Sequence, residues 1–299
     1  MRNIIIASTS TIHGSGYLEY FLDDLKVFFK NANTILFIPY ARPGGLSHND
    51  YTEIANNAFN KINKKVKGIH EFENPNEAIK NAEGIFIGGG NTFVLLNQLY
   101  KNNVIDTLKQ TVQNGTPYLG TSAGSNICGL TIKTTNDMPI VYPPSFNAIG
   151  LVPFNINPHY LDPSSNSKHM GETRETRIKE FHSYNTQPVI GLREGSWLHV
   201  NHDSIILKGE LTARVFEYNK EGQTAYRHAI NIGSVGKPKD GDTRGCYVLI
   251  HINENSSRLD KNSIKVEFKR FEYDIEKAAT AVENSILPNA YADMLRKAY

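Results

Sequence analysis

The sequence predicts an α/β fold with an open, mostly parallel sheet flanked by helices. Two observations predict it: short apolar runs recur along the chain, and stretches with helical spacing lie between them. Apolar runs of this kind are typical of strands buried on both faces, and their alternation with helices is the pattern of a parallel sheet. In such sheets ligands bind beyond the carboxyl ends of the strands. A functional site is therefore expected at that edge.

The predicted strands are apolar runs of a few residues each, at residues 4–7, 35–39, 84–87, 118–119 and 189–192. Between them, apolar residues recur every three or four positions over residues 51–62, 93–100 and 104–112, which predicts three amphipathic helices. Asn114 and Gly115 form the stop signal of the third helix.

Two segments depart from this alternation. Residues 138–167 are rich in proline and asparagine and predict a long ordered loop, a kind of segment that is usually functional. The composition also shifts after Tyr226, which predicts a first domain over residues 1–226 and a small α+β extension over residues 227–299. In the extension, residues 264–268 alternate as a strand, and Asp274 caps a helix that Pro288 ends.

Composition excludes several classes of protein. Lys and Arg number 32 against 30 Asp and Glu, a net charge of +2, so neither a nucleic-acid partner nor an anionic membrane is expected. Cys128 and Cys246 form no paired motif, which favours a reducing compartment. No stretch approaches the roughly 20 apolar residues of a membrane-spanning helix, and the apolar run at the start is too short for a signal peptide. We expect a cytoplasmic protein acting on a small molecule or peptide.

The pentad Gly120-Thr121-Ser122-Ala123-Gly124 follows a short apolar run and precedes small residues that are compatible with a helix. This pattern is typical of a nucleophile elbow, a sharp strand-to-helix turn on which the serine hydroxyl projects from the sheet edge. The same residues are also compatible with an ordinary tight turn. A serine hydrolase is the first hypothesis.

A serine nucleophile needs a base, and the base needs a group that orients it. Among ten histidines, His159 is the best candidate, because Pro158 stiffens the backbone before it. It could equally be a loop histidine bonded to a carbonyl. For the orienting acid there are two candidates, Asp137 and Glu194, each beside a proline or glycine that is also common in turns.

The run Gly88-Gly89-Gly90-Asn91-Thr92 lies between a predicted strand and a predicted helix, so its backbone amides are free to point at an anion. It lacks the lysine of a phosphate-binding P-loop. Together with Ser122, it favours an oxyanion hole completed by the amide of Ala123.

At this point the first 226 residues resemble a known family, the peptidase E family of aspartyl dipeptidases. Six stretches carry the resemblance in the same order: GGGNTF at 88–93, TSAG at 121–124, TTNDMPIV at 134–141, INPH at 156–159, GETRE at 171–175 and EGSW at 194–197. The resemblance implies a fold like that of the class I glutamine amidotransferases and hydrolysis of dipeptides or short peptides with an N-terminal aspartate, without a cofactor or metal.

By resemblance, Ser122 is the nucleophile, His159 is the general base, and the amides of Gly90 and Ala123 form the oxyanion hole. Asp137 is slightly favoured over Glu194 as the third catalytic member. Arg174 is the candidate for the substrate carboxylate, since guanidinium binds carboxylate in a two-pronged way; a solvated charge on a helix over residues 172–181 is the alternative. Asn91 joins it as a substrate-binding candidate from the GGGNTF stretch. A cyanophycinase-like β-aspartyl hydrolase and a non-catalytic regulatory protein remain open as alternatives.

Residues 228–299 resemble the C-terminal end of calcineurin-like metallophosphoesterases, through the run from Asn231 to Arg244 and the segments 266–268 and 273–276. The metal-binding stretches of that family are missing from the sequence, so a two-metal site is not expected. The extension is therefore interpreted as a structural appendage that could support a homo-oligomer.

Overall fold

The computed structural model describes residues 2–163, 171–209, 211–218, 242–251 and 265–298, together with the backbone of 224–229. The chain forms two compact units, Met1–Ala229 and Ile230–Tyr299. Within the described residues, no helix is both long and apolar enough to cross a membrane.

The strands of the described residues, in chain order, are β1 (Asn3–Ala7), β2 (Thr34–Ile38), β3 (Lys65–Gly68), β4 (Ile85–Ile87), β5 (Tyr118–Thr121), β6 (Asn155–Pro158), β7 (Val189–Leu192), β8 (Ser196–Asn201), β9 (Ser204–Gly209), β10 (Ala213–Tyr218), β11 (Thr224–Ala229), β12 (Gly245–His251) and β13 (Lys265–Phe271).

The helices are α1 (Leu22–Phe28), α2 (His48–Asn60), α3 (Pro75–Lys80), α4 (Thr92–Lys101), α5 (Ile105–Gln113), α6 (Ala123–Asn126), α7 (Arg174–His182), α8 (Ile275–Glu283) and α9 (Ala290–Lys297). The three amphipathic helices predicted from the sequence correspond to α2, α4 and α5. Gly115 lies just beyond α5 with φ at 115°, the conformation that makes glycine a common helix stop.

A seven-stranded sheet with the order β3-β2-β4-β5-β1-β8-β9 forms the centre of the first unit. Its strands from β3 to β1 run parallel, while β8 and β9 join one edge antiparallel. Four of the five predicted strands lie in the parallel part, and the predicted α/β fold class is confirmed. The fold brings the ends of β1, β2, β4 and β5 to one edge.

The sheet separates two apolar cores. Successive side chains of a strand point to opposite faces, so Ile4 and Ile6 pack with α4 and α5, whereas Ile5 and Ala7 pack with α1 and α2. This division decides on which side of the sheet each site residue lies.

A second, four-stranded sheet has the order β11-β10-β7-β6. The predicted strand at 189–192 is β7, which is a parallel strand as expected but belongs to this second sheet. Its parallel neighbour is β6 (Asn155–Pro158), which lies inside the segment predicted as a loop. β6 has the sequence Asn-Ile-Asn-Pro, which contains no apolar run. Its asparagine side chains are accommodated in the fold because they bond to Thr131 and Thr134. Residues 164–167 of the predicted loop lie outside the described residues.

The second unit contains the antiparallel pair β12 and β13 and the helices α8 and α9. The Asp274 side chain accepts a hydrogen bond from Lys277 N–H and caps α8, as predicted. The helix ends at Glu283, before the predicted stop at Pro288, because Asn284 caps it and Ile286 is fully exposed. Residues 227–241, which span the predicted domain boundary, carry no described side chain.

Candidate active site

Ser122 lies on the sharp turn between β5 and α6. Its φ of 52° and ψ of −109° are values that a residue with a side chain rarely adopts. A methyl group on Gly124 would overlap the carbonyl of Ile87, and one on Gly120 would overlap the carbonyl of Gly124. Both flanking positions therefore need glycine, since the turn is packed against its own backbone and against β4.

His159 directly follows β6, and its Nε2 lies 2.8 Å from the Ser122 Oγ. Its backbone is also in the left-handed region, with φ at 54°. The His159 N–H donates a hydrogen bond of 2.9 Å to the Ser8 Oγ, at the carboxyl end of β1. His159, which follows a strand of the four-stranded sheet, is thus within hydrogen-bond distance of Ser122, which follows a strand of the seven-stranded sheet.

Glu194 lies on the short turn between β7 and β8, and its Oε1 is 2.6 Å from the His159 Nδ1. With Nδ1–H donating to this carboxylate, Nε2 carries the lone pair that can accept the Ser122 proton. Tyr20 lies nearby, and burial together with the negative charge of Glu194 raises the pKa of its phenol. Ser122, His159 and Glu194 therefore form one line of hydrogen bonds.

Asp137 occupies a different position. Its Oδ2 accepts hydrogen bonds from Thr92 N–H at 2.7 Å, from the Thr92 hydroxyl at 2.5 Å and from the Thr135 hydroxyl at 3.1 Å. No hydrogen bond joins it to His159 in the described part of the chain. The carboxylate that the sequence analysis slightly favoured as the orienting acid thus lies at the first turn of α4, where a negative charge is stabilised.

Gly90 and Ala123 carry the two amides that the sequence predicts as oxyanion donors. Within the described residues, neither amide donates a hydrogen bond. Gly90 has φ at 145°, and a side chain there would overlap the carbonyl of Ala41, so this position requires glycine. A methyl group on the preceding Gly89 would lie 3.0 Å from the Ser122 Cβ, which shows how closely the loop approaches the serine.

The two substrate-binding candidates differ in what surrounds them. The Asn91 side chain is used within the fold, because its Oδ1 accepts from Val94 N–H at 3.1 Å and its Nδ2 donates to the Met138 carbonyl at 2.9 Å. Arg174 is the first residue of α7. Burial and the positive charge of Arg177 lower its pKa, whereas the nearby charge of Asp137 acts in the opposite direction. The Arg174 guanidinium is therefore within electrostatic reach of the Asp137 carboxylate.

Comparison with known proteins decides the family. The sequence model of peptidase family S51 matches residues 4–208. The chain belongs to peptidase family S51. The predictions of a serine-type peptidase and of the peptidase E resemblance are confirmed.

Two curated relatives support this membership. The Drosophila melanogaster protein named "Probable alpha-aspartyl dipeptidase" is 47% identical over 219 residues, which cover 72% of this chain and 90% of that protein. Peptidase E of Streptomyces coelicolor is 47% identical over 214 residues, 72% of this chain and 87% of that protein. The crystal structure of a peptidase from an acI-B1 Actinobacterium covers 76% of this chain and 93% of that chain with a TM-score of 0.58 and 14% identity, so it shares the fold.

The sequence analysis of this S51 peptidase missed Ser8. Its buried hydroxyl donates to the Leu192 carbonyl at 2.7 Å and accepts from His159 N–H, so it joins the ends of β1 and β7 to the imidazole-bearing segment. A signal was present, because Ser8 follows an apolar strand as Ser122 and Gly88 do, and that edge was already expected to hold the site.

The pair of Asp162 and Arg193 was also missed. The Arg193 Nη2 lies 2.6 Å from the Asp162 Oδ2, and Arg214 approaches the other oxygen at 3.2 Å. Arg193 directly precedes Glu194, and Asp162 lies three positions after His159, so the pair ties together the two segments that carry Glu194 and His159. No sequence motif links these residues, since the contact depends on how β6 and β7 pair.

The thiol of Cys128 is not a competing nucleophile in this peptidase. It is fully buried, and burial raises its pKa to about 12. It therefore stays protonated at neutral pH.

Proposed function

We propose that this S51 peptidase is an α-aspartyl dipeptidase that forms an acyl-enzyme on Ser122. The single observation that carries the proposal is the hydrogen-bonded line from Ser122 through His159 to Glu194. The peptidase E relatives and the relative named as an alpha-aspartyl dipeptidase supply the class of substrate.

In the first step, the Ser122 Oγ attacks the carbonyl carbon of the N-terminal aspartyl residue, and its proton passes to the Nε2 of His159. Glu194 holds Nδ1–H and stabilises the imidazolium that forms. In this proposal Glu194, rather than Asp137, is the orienting acid, since its oxygen is the one within hydrogen-bond distance of the ring.

The carbonyl oxygen becomes negatively charged in the tetrahedral intermediate. The amides of Gly90 and Ala123 are the proposed donors to it, and one such donor is worth roughly 3 to 4 kcal/mol to a transition state. Asp137 and Asn91 help to position the Gly90 loop, because both accept hydrogen bonds from backbone N–H groups in the first turn of α4, which begins two residues after Gly90.

The intermediate collapses when His159 gives its proton to the leaving amine and the C–N bond breaks. The second amino acid departs, and the aspartyl group remains as an ester on Ser122. A water molecule then gives a proton to His159 and attacks the ester, and the Ser122 oxygen leaves with that proton. The net reaction consumes one water and releases two amino acids.

Arg174 is proposed to bind the side-chain carboxylate of the substrate aspartate. Its place in the GETRE stretch and its electrostatic link to Asp137 support this role, and among the described residues it has no ion-pair partner of its own. A charge-assisted, two-pronged pair would select aspartate over its neutral analogue asparagine.

The test compares α-Asp-Leu, β-Asp-Leu and Asn-Leu as substrates of the wild type, Ser122→Ala, Arg174→Met and Arg177→Met. We expect hydrolysis of α-Asp-Leu, a loss on the order of 10⁶-fold in Ser122→Ala, and a loss in Arg174→Met that is confined to the aspartyl substrates. Arg177→Met removes a neighbouring exposed charge and serves as the control. Faster hydrolysis of β-Asp-Leu would instead indicate a cyanophycinase-like enzyme. Failure of Ser122 to react with a fluorophosphonate probe would favour a non-catalytic protein.

The extension over residues 227–299 is proposed to take no part in this chemistry, and the peptidase is proposed to work in the cytoplasm. Each group that the mechanism uses lies between Gly90 and Glu194, inside the first unit. A chain ending at Ala229 should therefore retain Asp-Leu hydrolysis. Comparing the size of the two proteins by light scattering would test whether the extension forms a homo-oligomer.

A further inference from the structure

Arg42 lies four residues beyond β2, at the same sheet edge as Ser122. The carbonyl of the preceding Ala41 accepts a hydrogen bond of 2.7 Å from Asn91 N–H. Gly90 packs so closely on Ala41 that a side chain at Gly90 would not fit. The backbone of Arg42 is thereby fixed next to the loop that carries the proposed oxyanion donor.

The side chain of Arg42 is held by an aromatic ring. Its Cζ lies 4.8 Å from the ring centroid of Tyr51, a geometry in which the guanidinium is attracted by the ring. Tyr51 is buried, and its hydroxyl donates to the Gly89 carbonyl at 3.0 Å while it lies 3.3 Å from the Tyr17 hydroxyl. A methyl group on Gly89 would lie 3.0 Å from the Ser122 Cβ, so this loop residue is close to the serine turn. Arg42 is thus connected to the serine turn through Tyr51 and Gly89.

Arg42 and Arg174 are linked to opposite faces of the sheet by the residues that surround them. Tyr51, under Arg42, belongs to the core with Phe37 and Phe86 on the α2 side of the sheet. Arg174 lies near Asp137, which is bonded to the start of α4 on the other side. Among the described residues, no carboxylate pairs with Arg42. Arg42 is thus linked through Tyr51 to the α2 side of the sheet, and Arg174 is linked electrostatically to Asp137 on the α4 side.

A dipeptide that begins with aspartate also carries two carboxylates. One is the aspartyl side chain, and the other is the C-terminal carboxylate of the second residue. Because a chain spans only about 3.5 Å per residue, that carboxylate lies next to the bond to be cut, whereas every added residue moves it further away. A cation placed close to the nucleophile can therefore recognise the length of the substrate.

We propose that Arg42 binds the C-terminal carboxylate of the substrate and so restricts this enzyme to dipeptides. The inference rests on the proposed function, because it takes Ser122 as the nucleophile and Arg174 as the partner of the aspartyl side chain. Arg42 is a specificity-determining residue in this scheme. It takes no part in proton transfer.

The test uses Asp-Leu and Asp-Leu-amide, which differ only in the C-terminal carboxylate. We expect the wild type to prefer Asp-Leu by about 10- to 100-fold in kcat/KM, the size of one charge-assisted contact. Arg42→Met should lower kcat/KM for Asp-Leu by that factor and leave the amide unchanged, so the amide reports that the variant is folded. Arg42→Lys keeps the positive charge but cannot bind a carboxylate in a two-pronged way. Its kcat/KM for Asp-Leu should therefore lie between those of the wild type and Arg42→Met. Arg174→Met should lower kcat/KM for both substrates, and Arg177→Met should lower it for neither.

Equal losses of Arg42→Met on both substrates, or no loss on either, would overturn the inference while the proposed function stands. The same holds if the wild type cleaves acid and amide equally well. If the wild type hydrolyses neither aspartyl substrate, the proposed function fails, and the inference fails with it.

Discussion

Ser8 holds the backbone of His159 in place. Its hydroxyl accepts the His159 N–H at 2.9 Å and donates to the Leu192 carbonyl at 2.7 Å, and the hydroxyl is buried between them. His159 has a positive φ that the chain would not adopt by preference. One hydroxyl therefore fixes the segment from which the imidazole reaches Ser122.

Replacing Ser8 with alanine should lower kcat about tenfold or more and leave KM nearly unchanged, because the imidazole loses its alignment while the substrate contacts remain. The His159 N–H would lose its acceptor and the buried Leu192 carbonyl its donor, so the free energy of unfolding should also fall by about 1 to 3 kcal/mol. Steady-state kinetics and chemical denaturation measure the two effects. Ser183→Ala, at the exposed end of α7, is the matched control, and a Ser8→Ala enzyme with wild-type kcat would contradict the positioning role.

Glu194→Gln and Asp137→Asn should have very different effects on turnover. Without the carboxylate, His159 loses its preferred tautomer and its stabilised positive charge, so Glu194→Gln should reduce kcat by roughly 10²- to 10⁴-fold. Asp137→Asn keeps an oxygen for Thr92 N–H and should cost less than about tenfold. The comparison is made at saturating Asp-Leu. A larger loss in Asp137→Asn would return the orienting role to Asp137.

The strained backbone of Ser122 should be visible as a cost in stability. Glycine adopts its φ and ψ readily, so Ser122→Gly should be more stable than Ser122→Ala by about 0.5 to 2 kcal/mol, although glycine also loosens the unfolded chain. Both variants lack the hydroxyl, and both should be inactive, so their difference isolates the backbone. Thermal or urea unfolding of the two proteins measures it. A Ser122→Gly variant less stable than Ser122→Ala by about 0.5 to 1 kcal/mol, the ordinary entropic cost of glycine, would mean that the turn is not strained.

Asp162 should make the stability of the first unit depend on pH. Burial raises its pKa, but the hydrogen bonds and charges of Arg193 and then Arg214 outweigh burial and lower it. A carboxyl group with a lowered pKa in the folded state stabilises the fold above its unfolded pKa of about 4, and this contribution is lost as the pH falls through the folded value.

Asp162→Asn should therefore have a lower Tm than the wild type at pH 7, and the gap should close as the pH falls below about 4. Thermal unfolding across this range measures the gap. Asp203→Asn removes an exposed ion pair with Arg2 and should show little difference at any pH. A gap for Asp162→Asn that stayed constant with pH would mean that its charge is not what stabilises the fold.

The parts of this structure that could be predicted from sequence are those where local chemistry and position agree. Ser122 could be predicted because its turn requires Gly120 and Gly124, which lie within the same five residues. The apolar sequences of β1, β2, β4 and β5 also predict the sheet edge at which Ser122 lies. β6 could not be found in this way, because its asparagines satisfy hydrogen bonds inside the fold and leave no apolar run.

The choice between Asp137 and Glu194 was open for a related reason. Both follow short motifs of the same kind, and nothing within those motifs indicates which carboxylate meets the imidazole. That depends on β6 pairing with β7, which carries the Glu194 turn to His159, and on Thr92 taking up Asp137. Contacts between segments that are distant in the chain leave no local pattern.

The turn that carries Glu194 is one of the connections through which the chain passes from one sheet to the other. Ser122 belongs to the larger sheet, and His159 follows a strand of the smaller one. Under the proposed mechanism, turnover requires that the two sheets keep their relative positions. A local loosening of the smaller sheet would then abolish activity while the larger sheet remained folded. The rate of hydrolysis would therefore report changes in the relative position of the two sheets. A covalent inhibitor that also contacts the imidazole would hold them together.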